Sequence, residues 1–108
     1  MNAKDINGLT AFHHACSSGH SEIAEMLIEK SPKFDIVLNA VSNSGSSAFH
    51  YACCYGHLKI GEMLIEKSNE LNIDLNAKND RGRTAFHNVC ISGYINMAEL
   101  VIQKSSKV

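Results

Sequence analysis

A period of 37 residues constrains this chain more than any other feature of its sequence. The tripeptide Ala-Phe-His begins at Ala11, Ala48 and Ala85, so it recurs twice at the same interval. Six of the seven glycines fall into two registers of that period. Self-similarity at a fixed step of roughly 20–50 residues is typical of solenoids, in which each structural unit packs on its neighbours.

Each repeated unit predicts a pair of short helices. In the first unit Gly8 predicts a turn, because glycine adopts positive φ without strain. Thr10 is a candidate N-cap for a helix over residues 11–18, which Gly19 would end. Apolar residues at helical spacing predict a second helix over about residues 21–30. Because isolated helices of this length are marginal in water, we expect an all-α solenoid of three stacked helix-turn-helix units.

The repeated motif resembles that of the ankyrin repeat family. From Asp5 to His13 the first unit reads Asp-x-x-Gly-x-Thr-Ala-Phe-His, and Gly19-His20 follows. The family pattern is D-x-x-G-x-T-P-L-H, followed by G-H between the helices. The resemblance covers essentially the whole chain and implies an ankyrin-repeat solenoid with turn or hairpin fingers. It implies one domain over residues 1–108, with repeats at approximately 2–38, 39–75 and 76–108.

The chain departs from the family pattern in two respects. Alanine and phenylalanine replace the motif's proline and leucine in all three copies. The period is also longer than the family's usual period of about 33 residues, and the additional residues follow the second helix. There Phe34 is equivalent to Leu71, and Ile36 to Ile73. We expect these apolar side chains to pack beneath the second helices.

The resemblance assigns a structural role to the motif's hydroxyl and histidine. In the family the histidine ties the turn together, through hydrogen bonds from its ring nitrogens to the motif threonine and to neighbouring backbone. The residues at these motif positions are Thr10, His13, His50, Thr84 and His87. Ser47 keeps the hydroxyl in the second unit.

Histidine and cysteine recur together in a spacing that zinc could use. His13-x-x-Cys16-x-x-x-His20 could place ligands on one helix face, but Gly19 interrupts that helix and no unit supplies four ligands. We therefore expect no metal and no cofactor, with the repeated cysteine acting as a small hydrophobe. Cys54 is expected to be an exposed thiol. An active site is usually one asymmetric constellation, and since these pairs recur in every unit, we predict no enzyme and no catalytic residue.

A partner site is expected where equivalent positions differ between units. The resemblance implies that turn tips and the concave face of the first helices hold a protein partner. Within that surface we predict that Tyr55, Arg81 and Arg83 anchor an acidic group beside an apolar one. The candidate partner-binding residues are Ile6, Asn7, Leu9, Ser17, Asn43, Ser46, Tyr51, Cys54, Tyr55, Asp80, Arg81, Arg83 and Ile91.

Composition excludes several other functions. The net charge of −1 gives no basic stripe for nucleic acid, and no apolar run approaches the roughly 20 residues of a membrane span. The first residues lack a signal-peptide pattern, so we expect an intracellular, cytoplasmic protein. Two further hypotheses stay open. The chain is a structural spacer of a longer ankyrin array without a partner site, or it self-associates, because its terminal repeats lack a polar outer face.

Overall fold

The structure, a computed structural model, describes residues 2–105, apart from the side chains of residues 104 and 105. Six helices and no strand occur in that part of the chain, so the predicted all-α class is confirmed. Each unit contributes two consecutive helices. Their bounds are α1 Ala11–Ser18, α2 Ser21–Phe34, α3 Ala48–Cys54, α4 Leu58–Glu66, α5 Ala85–Ser92 and α6 Ile95–Ser105.

The helices stack in two layers with the core between them. The first helices α1, α3 and α5 form one layer, in which α3 contacts both of the others. The second helices α2, α4 and α6 form the other layer in the same order. Buried apolar side chains from all three units form one continuous cluster. The predicted repeat limits stay predictions, and residues 106–108 of the third repeat lie outside the described residues.

Each first helix begins with the same capping arrangement. The Oγ1 atom of Thr10 accepts the N–H of His13 at 3.3 Å, and Nδ1 of His13 accepts the N–H of Thr10 at 3.1 Å. The pairs Ser47–His50 and Thr84–His87 repeat this capping box. Because a backbone N–H can only donate, we assign the proton of the neutral ring to Nε2. The histidine therefore takes the place that Glu or Gln has in an ordinary capping box.

The second helix of the first unit is longer than its sequence pattern predicts. We expected α2 to end near Lys30, and it ends at Phe34 with Pro32 inside it. Proline lacks an N–H, so the carbonyl of Ile28 loses its usual helical donor. The hydroxyl of Ser31 donates to that carbonyl at 2.8 Å and so replaces the missing bond.

This extension changes where the additional apolar residues lie. Ile36 is buried, and Leu71 and Ile73 are half-buried against the core, as expected. Phe34 is 49% exposed, so the expectation that it packs beneath its helix is wrong. The reason is that α2 carries Phe34 outward, where the ammonium of Lys33 lies 5.7 Å from its ring centroid.

Close contact between neighbouring units depends on the glycine that follows each first helix. Gly19 has a φ of +78°, and a Cβ there would lie 2.7 Å from the ring of His57. That ring also donates from Nε2 to the carbonyl of Ser17 at 2.8 Å. One unit later, a Cβ on Gly56 would lie 2.9 Å from the ring of Tyr94. The third unit's tyrosine thus packs where the second unit has histidine.

Replacing Gly19 with alanine should destabilise the fold more than the same change at Gly93. Both glycines end a first helix in the left-handed region, so each variant carries backbone strain of about 1–2 kcal/mol. Only the Cβ at Gly19 meets a ring, since none of the other residues that the structure describes lies within 4 Å of the Gly93 position. We expect Gly19→Ala to lose about 1 kcal/mol more of unfolding free energy in urea. Equal losses would show that the contact with His57 does not matter.

His13 makes the fold sensitive to acid. Burial lowers the pKa of His13 below its usual value of 6.5, and the charges of Lys4 and His14 act in the same direction. The carbonyls of Ser46 and Ala40 oppose the shift. Neither carbonyl makes a hydrogen bond with the ring, however, because Nε2 of His13 is buried without a partner among the described residues. Burial therefore dominates, and protonation would also break the cap on the Thr10 N–H.

We expect stability to fall as the pH drops below about 6.5, where the unfolded chain begins to bind the proton of His13 before the folded chain does. Urea unfolding at pH 7 and pH 5 measures this loss. His13→Gln is the matched control, because glutamine can accept the cap N–H without titrating. The free energy of unfolding of the variant should change less between these two pH values. If it falls as much as in the wild-type protein, His13 is not the source of the acid sensitivity.

Asp5 does not contribute in this pH range. Hydrogen bonds from the backbone of Leu9 and from His14 lower the pKa of Asp5 below 3.8.

Candidate partner-binding groove

A concave groove lies between the second and third units. Its volume is about 490 Å³, which falls within the usual range for ligand sites. Its walls come from helix α3, helix α5 and the two turns that precede them. We call it the concave groove, and its lining residues are Ser44, Ser46, His50, Tyr51, Cys54, Tyr55, Asn79, Arg81, Arg83 and Asn88.

The turn before α5, residues 79–83, holds two arginines in a fixed conformation. Oδ1 of Asn79 accepts the N–H groups of Arg81 and Arg83, at 3.0 and 3.1 Å. The N–H of Asn79 donates to the carbonyl of Arg83 at 2.9 Å. The N–H of Asp80 donates to the carbonyl of Ser44 in the preceding turn, also at 2.9 Å. The arginine backbone is therefore tied both within its own turn and to the neighbouring unit.

The floor of the concave groove is aromatic and hydrogen-bonded. Nε2 of His50 donates to the carbonyl of Arg83 at 3.0 Å, which follows from its assigned tautomer. The hydroxyl of Tyr51 donates to Oγ of Ser42 at 3.0 Å, so the half-buried ring is held in place. Tyr55 lies one helical turn further on and is 52% exposed. The groove thus offers one fixed tyrosine and one accessible tyrosine.

The difference between Tyr51 and Asn88 explains why space opens here. These residues are equivalent in the repeat. The ring of Tyr51 meets the ring of His13 edge-on, with centroids 5.8 Å apart, and so fills the corresponding space between units one and two. Asn88 is shorter and half-buried, so it leaves room between Tyr51, Tyr55 and the arginine turn.

Positive charge lines one side of the concave groove. Arg81 is exposed and Arg83 is half-buried. Neither guanidinium forms an ion pair with another residue in the range 2–105. The equivalent positions in the first unit carry no charge, since they are Asn7 and Leu9. The two arginines thus remain available to an acidic group.

The structure brings about half of the candidate residues together. Those that line the concave groove are Ser46, Tyr51, Cys54, Tyr55, Arg81 and Arg83. The others lie outside it, and they are Ile6, Asn7, Leu9, Ser17, Asn43, Asp80 and Ile91. Most of this second set is exposed, with Ile6 at 92% and Ile91 at 64%. Their partner-binding role stays a prediction.

Two candidates are less accessible than we expected. Ser46 is buried at 7% exposure. Its N–H donates to Oγ of Ser42, and its Oγ accepts from Ser44, so the turn itself uses its polar groups. Cys54 is half-buried rather than exposed. The partner-binding role of both residues stays a prediction.

Sequence reasoning missed Asn79, which fixes the arginine turn and lines the concave groove. The signal for it is present in the sequence. Asp5, Ser42 and Asn79 each stand three residues before a turn glycine, and Asp, Asn and Ser are the residues that accept hydrogen bonds from the backbone of a turn. The same oxygen position in Asp5 accepts the N–H groups of Asn7 and Leu9 at 2.9 Å.

Two of the cysteines are buried, and the described cysteines and histidines are not grouped around a metal site. Burial raises the pKa of Cys16 and of Cys53 to about 12, so both thiols stay protonated at neutral pH. Within residues 2–105, no three His, Cys, Asp or Glu side chains are grouped to hold a metal ion. Over the same range, none of the helices combines the length and apolar character needed to cross a membrane.

Comparison with known proteins agrees with this architecture. The family model described as ankyrin repeats (3 copies) matches residues 1–79. No curated protein matches the chain. The family match ends before α5, yet α5 and α6 repeat the capping box and the helix pair of the first two units. Because the match spans well over half of its length and the helix pairs recur in register, the chain belongs to the ankyrin repeat family.

Proposed function

We propose that the chain is a non-catalytic module that binds a partner protein in the concave groove. In this binding mode Arg81 and Arg83 hold an acidic side chain, while Tyr51 and Tyr55 contact an apolar side chain next to it. The observation that carries the proposal is the placement of two guanidinium groups without ion-pair partners among residues 2–105, beside two tyrosines, on a hydrogen-bonded turn.

Ankyrin repeats are generally protein–protein interaction modules, and the family is typically non-catalytic. The chemistry of the concave groove supports that role for this chain. A guanidinium can bind a carboxylate through two parallel hydrogen bonds, and arginine and tyrosine are enriched among the residues that dominate binding energy. Because the turn is already ordered, binding costs less conformational entropy than ordering a flexible loop would.

The proposal concerns a protein partner rather than nucleic acid or a membrane. Two arginines on one turn are too few for the basic stripe that nucleic acids need.

The residues in the range 2–105 include four free cysteines, Cys16, Cys53, Cys54 and Cys90. Reduced thiols are usual in the cytosol, which supports a cytoplasmic location as part of the same proposal.

The binding mode predicts which short peptides the module selects. A random peptide library displayed on phage should yield ligands with Asp or Glu close to a large apolar residue. Arg83→Ala should weaken binding of a selected, fluorescently labelled peptide by about tenfold or more, because a charge-assisted hydrogen bond contributes roughly 1.5–3 kcal/mol. Fluorescence anisotropy measures the dissociation constants, and Arg81→Ala and Tyr55→Ala should weaken binding in the same assay.

Lys59→Ala is the matched control, since Lys59 is an exposed cation on α4, away from the concave groove. It should leave affinity unchanged. Replacing the peptide's carboxylate by its amide should cost more affinity with the wild-type module than with Arg83→Ala, in which Arg81 alone remains to hold the charge. Peptides that are selected but insensitive to all three groove variants would refute the proposed site. A library that yields no ligand at all would favour the structural spacer.

A further inference from the structure

Exposure at equivalent positions shows which side chains face the following unit. Phe12 and Phe49 are each 2% exposed, whereas Phe86 is 36% exposed. Ile28 and Ile65 are 4% and 8% exposed. The histidine and cysteine of the motif behave likewise, being buried in the first two units and exposed in the third. These positions are covered only when another unit follows, so the third unit presents a bare trailing face, defined by Phe86, His87, Cys90 and Ile102.

The first unit is bare on its opposite side. Ile23 is 48% exposed, whereas its equivalents Ile60 and Met97 are each 1% exposed. Ala11 is exposed, and its equivalents in units two and three are buried. These positions are covered by the preceding unit. The first unit therefore presents a bare leading face, defined by Ala11 and Ile23.

The trailing and leading faces are the two sides of one interface that already forms twice within the chain. Met97 of unit three reaches Gly61 of unit two, where a Cβ would lie 2.9 Å from its sulfur. By the period, Ile23 corresponds to Met97, and half-buried Ala98 corresponds to Gly61. An isoleucine on the leading face thus matches a small residue beside the trailing face.

The glycines give a second, independent match. Gly19 and Gly56 are covered by the rings of His57 and Tyr94, but no other described residue lies within 4 Å of the Cβ position of Gly93. His20 is equivalent to those two rings and is exposed. A ring is therefore left without a glycine at one end of the stack, and a glycine is left without a ring at the other.

The hydrogen bonds between units give a third match. The N–H of Asn43 donates to the carbonyl of Asn7, and the N–H of Asp80 donates to that of Ser44. The next bond in this series would join the N–H of Ile6 to the carbonyl of Arg81. Nε2 of His50 donates to the carbonyl of Arg83, and the next bond in that series would join His87 to the carbonyl of Leu9.

We propose that the trailing face binds the leading face of a second copy of this chain, so that copies stack head to tail in the register of the internal repeats. The helix, ring and hydrogen-bond contacts described above between units two and three each have a counterpart between the trailing face and unit one of the incoming copy. Such an interface is heterologous, so copies add in one direction and form a row with one free face at each end, or a ring if the rotation closes. The proposal does not depend on the partner bound in the concave groove.

Two charge substitutions test this arrangement by sedimentation velocity and light scattering. Ile23→Glu blocks only the leading face, and Ile102→Glu blocks only the trailing face. Both residues are about half exposed in the single chain, so neither change should unfold it, and circular dichroism with thermal melting checks this. Val41→Glu is the matched control, because Val41 is 46% exposed and its repeat equivalents are Lys4 and Lys78, which are already charged.

The wild-type protein and the Val41→Glu control should increase in mass with concentration beyond the monomer's 11.8 kDa. Each face variant alone should remain a monomer. An equimolar mixture of the two should form dimers and nothing larger, because one intact leading face meets one intact trailing face. A wild-type protein that stays monomeric at millimolar concentration would overturn the proposal and leave the faces for repeats of another chain. A face variant that dimerises by itself would overturn it in favour of a two-fold contact between like faces.

Discussion

The fold depends on helices that cannot bury their apolar sides alone. Each first helix has only seven or eight residues, which is below the length at which an isolated helix is stable in water. Stability must therefore come from neighbouring units. The small positions Ala24 and Gly61 are buried, and Met97 of the next unit reaches Gly61 directly. Because neighbouring second helices contact each other at each step, with one side of each unit covered by the unit before it and the other by the unit after it, the stack has a direction and two chemically different ends.

The capping histidine connects this packing to the turns. One ring nitrogen accepts the N–H of the N-cap residue in all three units, so the start of each first helix is fixed. The other nitrogen of His50 donates to the carbonyl of Arg83 in the next unit. This one side chain therefore joins the start of α3 to the turn before α5. Hydrogen bonds to unit two hold the backbone of the arginine turn. The two guanidinium groups form no ion pair within residues 2–105, so they remain available for binding.

Variation between units acts on this rigid frame. Tyr51 and Asn88 occupy the same repeat position, yet one ring fills its space and the shorter amide leaves the concave groove open. Arg81 and Arg83 occur in one turn of the three. The backbone cannot supply this difference, since it is nearly the same in each unit. The specific surface of the module thus comes from a few side chains at positions where packing does not dictate the residue.

The sequence by itself determined the repeat, the helix pairs, the N-caps and the turn glycines, because each depends on residues close together in the chain. Thr10 and His13 form their capping box within one unit, and Gly8 and Gly19 supply the positive φ that their turns require. Tertiary structure alone decided which candidate positions are accessible. Ser46 is buried and Cys54 is half-buried, and Phe34 is 49% exposed at the end of a helix that continues through Pro32, whereas its equivalent Leu71 is half-buried against the core. Burial depends on what a neighbouring unit places over a residue, and a short sequence window does not contain that information.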